Sequence, residues 1–255
     1  MSVPTNTRTR SSGKSPNRDR QGADLAPFQN HPLAHARGSV LRMGQDTSIL
    51  AQDEALCRSA IYSALSLALS QPSPERLGSL RSAEARGALS EAASFLAAAA
   101  PAAEESGEDL AASTADWMRT LSALTLDDWL SPHARLFGHT ARGQVCPYEA
   151  EYGQEGLFAQ PRQLARIMGF YRAFGLETAE GERERADHVS CELEFLDFLC
   201  RKEAIAWEAN DPELLVEIQK AMRLFLRDHA GRFGRAFARQ LRECDPGGFF
   251  GALGD

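Results

Sequence analysis

Apolar positions in this chain recur at helical spacing, with almost no strict alternation of the kind a strand shows. Between Asp53 and Ser70, Leu56, Ala60, Ile61, Leu65 and Leu69 fall on one face and predict a first helix. Pro72 and Pro74 end it, and Ser73-Pro74 opens a second segment with proline at the favoured first position. That segment runs towards Ala100 with an expected break around Gly87, and Pro101 punctuates the alanine-rich stretch from Ala97 to Ala103. Further helices are predicted over Leu110 to Leu124, Leu126 to Phe137 with a break at Pro132, and Gln160 to Phe174, where Gly175 supplies the stop. Gly138 to Gly156 shows no period, and Leu176 to Arg185 reads as a polar loop. Asp187 to Asn210 forms the longest clear helix; Asp211-Pro212 opens another to His229, and Arg232 to Glu243 forms the last.

Composition agrees with this pattern. Alanine occurs 40 times and leucine 30 times, against 5 valines and 5 isoleucines. A parallel sheet needs β-branched strands that this chain cannot supply, so a Rossmann or barrel enzyme is excluded. The expected fold is all-α: one bundle of about eight or nine helices over residues 46–255. No apolar run reaches the roughly 18 residues of a membrane span, and no apolar core follows the early arginines as in a secretory signal. The five cysteines form no Cys-x-x-Cys pair, which favours a reducing compartment, by default the cytoplasm.

Charge divides the chain. Residues 1–45 hold seven basic and two acidic side chains, are rich in Ser, Thr, Asn, Pro and Arg, and read as a disordered basic tail. Met43 stands just before the first ordered-looking segment as an alternative start. The remainder is strongly acidic, which argues against nucleic acid and suits a basic partner.

Candidate chemistry gathers in two places. Asp187-His188-Val189-Ser190-Cys191-Glu192-Leu193-Glu194 is the densest polar cluster, with His188 and Glu192 four apart on one helix face. A metal site would need a second ligand set, and neither Glu-x-x-His nor His-Glu-x-x-His occurs, so no metal is expected. The plain alternative makes Asp187 the N-cap of a helix and leaves Glu192 and Glu194 solvated. The second place is Cys146-Pro147-Tyr148-Glu149-Ala150-Glu151-Tyr152-Gly153, two acids and two tyrosines around a proline-fixed turn. It reads either as a functional loop or as one whose tyrosines anchor it, rings inward and hydroxyls outward. Gly-x-Ser-x-Gly, Gly-x-x-x-x-Gly-Lys and Gly-x-Gly-x-x-Gly are all absent from the sequence. Phe195, Phe198, Phe225, Phe233 and Phe237 recur at helical spacing and are assigned to the core.

These residues carry a resemblance. Pro147-Tyr148-Glu149-x-x-Tyr152, preceded by Leu136-Phe137-Gly138, resembles a pattern of the TorD/DmsD/NarJ family of cytoplasmic maturation chaperones for molybdoenzymes. His133 stands where that pattern has an aromatic residue. Glu184-Arg185-Ala186-Asp187-His188 followed by Glu192-Leu193-Glu194-Phe195 resembles the family's acidic loop and helix. Gly169 to Leu176 and Phe225-Leu226-Arg227-Asp228-His229 also fit, and the resemblance covers residues 50–245. The turn around Pro147 looks most like members serving dimethylsulfide, ethylbenzene and selenate dehydrogenase-type enzymes.

The resemblance implies a non-enzymatic domain without a cofactor of its own. It would bind the twin-arginine signal peptide and the apo form of a molybdenum-cofactor oxidoreductase, assist cofactor insertion and hold back export. A basic, apolar peptide wants carboxylates beside an apolar groove. The residues assigned to that role are Asp187, His188, Glu192, Glu184, Glu149, Glu151, Tyr148 and Tyr152, with Val189, Leu193 and Leu196 as the apolar stripe. Rival readings are a structural or assembly subunit of a redox complex and a metal-dependent bundle enzyme. The chain is expected as a monomer or a domain-swapped dimer, without stable membrane insertion.

Overall fold

A computed structural model describes residues 46–100, 106–138, 143–152, 160–177 and 184–254. The expectations for residues 1–45, for Pro101 to Ala103 and for most of the 176–185 loop lie outside these described residues. Among the described residues there are ten α-helices and no strand. In chain order they are α1 (Asp46–Leu69), α2 (Pro74–Arg81), α3 (Ala83–Ala99), α4 (Ser106–Ala123), α5 (Leu126–Phe137), α6 (Gln160–Ala173), α7 (Val189–Glu208), α8 (Pro212–Asp228), α9 (Ala230–Cys244) and α10 (Phe249–Leu253). A 3₁₀ turn, Glu149–Glu151, lies between α5 and α6. None of these helices is long and apolar enough to cross a membrane.

The all-α expectation holds, and four details of it are corrected. The first helix begins at Asp46 instead of Asp53. The segment after Pro74 breaks at Ser82, whose hydroxyl accepts the Ala85 N–H at 3.0 Å and so caps α3. Gly87 lies inside α3 with open space around it, where glycine costs only about 1 kcal/mol relative to alanine. Pro132 sits within a continuous α5, whose start is secured by a reciprocal Thr125–Asp128 capping box. Lastly, α10 adds a short helix, which takes the number past eight or nine. A side chain at Gly251 would strike the Asp245 carbonyl, so glycine is what lets α10 fold back there.

The packing is organised around α1 and α7, the most extensive helix pair. Ala60, Ala64 and Ala68 on α1 are buried and small; Ala60 packs with Ala92 of α3, and Ala64 and Ala68 join the main apolar cluster. Three polar links cross the core: Ser59 Oγ donates to Asp197 Oδ1 at 2.5 Å, Ser66 Oγ to the Ser190 carbonyl at 2.9 Å, and Arg58 Nη2 to Glu203 Oε2 at 2.8 Å. One apolar cluster includes Trp117, Trp129, Phe137, Phe233, Phe237, Phe249 and Phe250. A second includes Ile167, Tyr171, Phe195, Leu199, Met222 and Phe225. Of the phenylalanines assigned to the core, Phe198 alone is only partly buried, packed against the second cluster. His133 packs as an aromatic, 4.9 Å from the Phe137 ring and 6.1 Å from Phe250.

Candidate functional site

The site lies where the two apolar clusters meet. Val145 and Val189 belong to the first, Tyr171 and Ala186 to the second, and the loop strands between them carry the polar residues. Pro147 to Glu149 runs antiparallel to Asp187–Val189, with Tyr148 and His188 forming an isolated bridge. Glu149 N–H donates to the Asp187 carbonyl at 2.9 Å, and Val189 N–H to the Pro147 carbonyl at 2.8 Å. From below, Tyr171 Oη donates to the Ala186 carbonyl at 2.8 Å, so α6 holds the junction in place. Tyr152 Oη donates to the Cys146 carbonyl at 2.8 Å and also meets Gln240 Oε1 at 3.1 Å, which ties the 3₁₀ turn to α9.

Four of the eight candidate residues are interior. Asp187 and Glu192 are 0 % exposed, Glu149 2 % and His188 4 %. Asp187 does not cap α7. Its Oδ2 accepts the Ala150 N–H at 3.2 Å, and Arg185 grips both oxygens, Nε to Oδ1 at 2.9 Å and Nη2 to Oδ2 at 2.7 Å. The cap is His188, whose Nδ1 accepts the Ser190 N–H at 3.2 Å and lies 2.7 Å from Ser190 Oγ. Nδ1 is therefore an acceptor, and Nε2 carries the proton, 3.7 Å from Glu184 Oε2. Burial, reinforced by the Arg185 cation and opposed by Asp187, lowers the His188 pKa to about 4, so the ring is neutral at ordinary pH.

Glu149 turns inward to His229, whose Nδ1 lies 3.0 and 3.3 Å from its two oxygens. That imidazole sits between Phe170 and Phe225, with ring centroids 5.5 and 5.2 Å away. Glu192 is not solvated: among the described residues neither of its oxygens has a hydrogen-bond partner. Burial first, and then the neighbouring Glu149 and Asp187 charges, raise its pKa well above 4.5. Its neutral form is thereby favoured over the carboxylate. The expected apolar stripe is core as well: Val189 and Leu196 are buried, in the first and second clusters, and Leu193 is partly buried against the first.

The other four candidates form a rim. Tyr148 Oη donates to Glu184 Oε2 at 3.2 Å, and the Arg185 guanidinium carbon lies 4.6 Å above the Tyr148 ring. Burial and Glu184 push the Tyr148 hydroxyl up to about 12. Glu151 is the most exposed candidate of the loop and lies 3.6 Å from Arg185 Nη1. Glu149 and Glu151 therefore do not act as a pair, since one faces the core and the other solvent. Both tyrosines anchor the loop, but their hydroxyls are bonded instead of pointing free. Sequence reasoning missed His229 and the role of Arg185. Both stand inside quoted motif segments, and those segments converge on one cluster in space. Among the described residues, no group of three or more His, Cys, Asp or Glu is placed to hold a metal ion.

Fold and site together define an all-helical protein with an acidic, tyrosine-bearing rim over a sequestered carboxylate cluster. Residues 87–239 match the family model described as nitrate reductase delta subunit, and the chain belongs to that family, the NarJ/TorD type that its motifs resemble. It is a family of assembly chaperones rather than enzymes. A stretch of 96 residues is 32% identical to the selenate reductase assembly chaperone protein of Thauera selenatis, which agrees with the selenate-type subgroup. That alignment covers 37% of this chain and 45% of the relative, so the chain spans less than half of the relative's length. No solved structure matches the chain significantly.

Proposed function

We propose that this chain is a cytoplasmic chaperone dedicated to one molybdenum-cofactor oxidoreductase. It binds the twin-arginine signal peptide and the apo form of that enzyme, assists cofactor insertion and delays export until folding is complete. The observation that carries this reading is the rim of Glu151, Glu184 and Tyr148 over Asp187, on a chain of this family. Carboxylates beside an aromatic face suit a guanidinium, which pairs with oxygen in its plane and stacks above a ring. In this assignment Glu151, Glu184, Tyr148 and Asp187 read the arginines, while Glu149, Glu192, His188 and Tyr152 fix the loop that presents them.

The test is calorimetric titration of the full chain with a peptide carrying two arginines before an apolar stretch, and with its glutamine counterpart. The arginine peptide is expected to bind tighter, with an advantage that shrinks as salt rises. Glu151→Gln and Glu184→Gln are each expected to weaken it by about 0.2–1 kcal/mol, the range for partly solvated charge pairs. Equal binding of the two peptides refutes the reading.

A further inference from the structure

We propose that Arg185 fills, from within the chain, the socket that a client arginine takes, so that peptide capture exchanges one guanidinium for another. The proposal rests on the peptide-binding reading above and specifies how that site is kept before binding. Arg185 makes the contacts that arginine recognition calls for. It forms a two-bond fork with Asp187, lies 3.6 Å from the second carboxylate of Glu151, and stacks 4.6 Å above the Tyr148 ring. Its side chain is 40% exposed while that of Asp187 is 0% exposed, so the guanidinium is the lid over a buried carboxylate.

A buried Asp187 cannot wait without a cation, because an unpaired charge in the interior is costly. A resident guanidinium removes that cost in the empty state. An arriving guanidinium can replace it with no intermediate charge imbalance, and its fork geometry matches the vacated one. A lysine offers a single strongly hydrated ammonium and cannot reproduce the two parallel bonds and the stacking. The socket therefore selects arginine over lysine, and the tether of Arg185 to the Asp187 turn sets how hard it competes.

The experiment uses the full chain with Arg185→Ala, and Arg185→Gln as a milder variant. Methylguanidinium is expected to raise the melting temperature of Arg185→Ala and not of wild type, while methylammonium does neither. The twin-arginine peptide should bind the variants roughly tenfold or more tighter than wild type, because an occupied site lowers apparent affinity by its free fraction. A twin-lysine peptide should gain nothing. In wild type, the Arg185 Nε–H resonance should move when the arginine peptide binds, a readout that needs no variant to fold. Arginine-dependent binding to wild type with unchanged or weaker binding to the variants, or with an unmoved Arg185 resonance, overturns the exchange and leaves the peptide reading standing. Absence of peptide binding in every form overturns both, even if methylguanidinium restores Arg185→Ala.

Discussion

Replacing Glu192 by glutamine tests whether the buried acid is neutral. Glu192 is fully enclosed, beside Glu149 and near Asp187, and burial comes first among the causes that raise its pKa well above 4.5. An acid whose folded-state pKa is raised contributes fully below its unfolded value, and that contribution is lost as pH climbs towards the folded value. In wild type the proton must be held against solvent at neutral pH, or a further negative charge enters an interior that already contains Glu149 and Asp187. Glutamine has the same shape and carries no charge at any pH. The variant is therefore expected to gain on wild type as pH rises above the ordinary carboxylate range, by at most about 1.4 kcal/mol per pH unit. In a domain of this size each kcal/mol moves the melting temperature by about 2–4 °C. Thermal melts of both proteins from about pH 5 to about pH 8 read the difference directly, and the titration of every other group cancels in it. A difference that stays flat across this interval means that Glu192 ionises as an ordinary surface acid, and the account of the cluster fails.

His188 acts in the opposite sense. Its pKa is lowered to about 4, so its contribution is present above the ordinary value of 6.5 and lost as pH falls towards 4, by about 3 kcal/mol in all. His188→Asn replaces the capping ring nitrogen by an amide oxygen that does not titrate, and should flatten this acid limb in urea titrations. Glu149→Ala leaves a buried His229 nitrogen without its hydrogen-bond partner and should cost about 1–3 kcal/mol by chemical denaturation. Tyr152→Phe loses a hydroxyl bonded to the Cys146 carbonyl and should cost about 0.5–1.5 kcal/mol. Ser82→Ala should cost about 1 kcal/mol and lower the melting temperature by about 2–4 °C, whereas a strained or broken α3 would show no such loss.

Much of the helical layout is legible because its signals are local. Gly175 takes a positive φ of 74° and closes α6, and Asp211-Pro212 opens α8 with the Asp211 side chain accepting the Leu214 N–H. Where two local signals compete, the stronger physical term decides. Ser82 offers a hydrogen bond that ends one helix and starts another, while Gly87 offers only a small loss of propensity within an alanine-rich run. The five residues of α10 are too few for any periodicity, and their place is fixed by Asp245, which accepts the Phe250 N–H and also pairs with Arg135. The site was legible as a set of residue types but not as a burial pattern. Glutamate and aspartate read as solvated unless a partner is known, and the partner of Glu149 stands 80 residues away. The plain alternative of Asp187 as a cap fails for a related reason. A side chain beside a helix start has several donors within reach, and Arg185 with the Ala150 amide outcompetes the α7 amides, which His188 serves.

In the proposed site the interior carboxylates and the exposed rim divide one task. Two backbone hydrogen bonds, Glu149 to Asp187 and Val189 to Pro147, join the 3₁₀ loop to the start of α7, and by themselves they would permit slippage. An apolar residue at position 149 would satisfy the same cavity in several registers, because dispersion has no direction. A buried carboxylate is less tolerant: it is satisfied here by His229, and a shift of one residue would strand it. Register then fixes orientation, since successive residues of the extended stretch face opposite sides and the 3₁₀ turn at Glu149–Glu151 re-aims the chain after it. With Glu149 committed to the core, Tyr148 is held against His188 and Glu184, and Glu151 reaches Arg185 at the surface. The polar interior is thus what gives the rim a single geometry, and a rim of single geometry can discriminate a planar guanidinium from a rounder ammonium of equal charge.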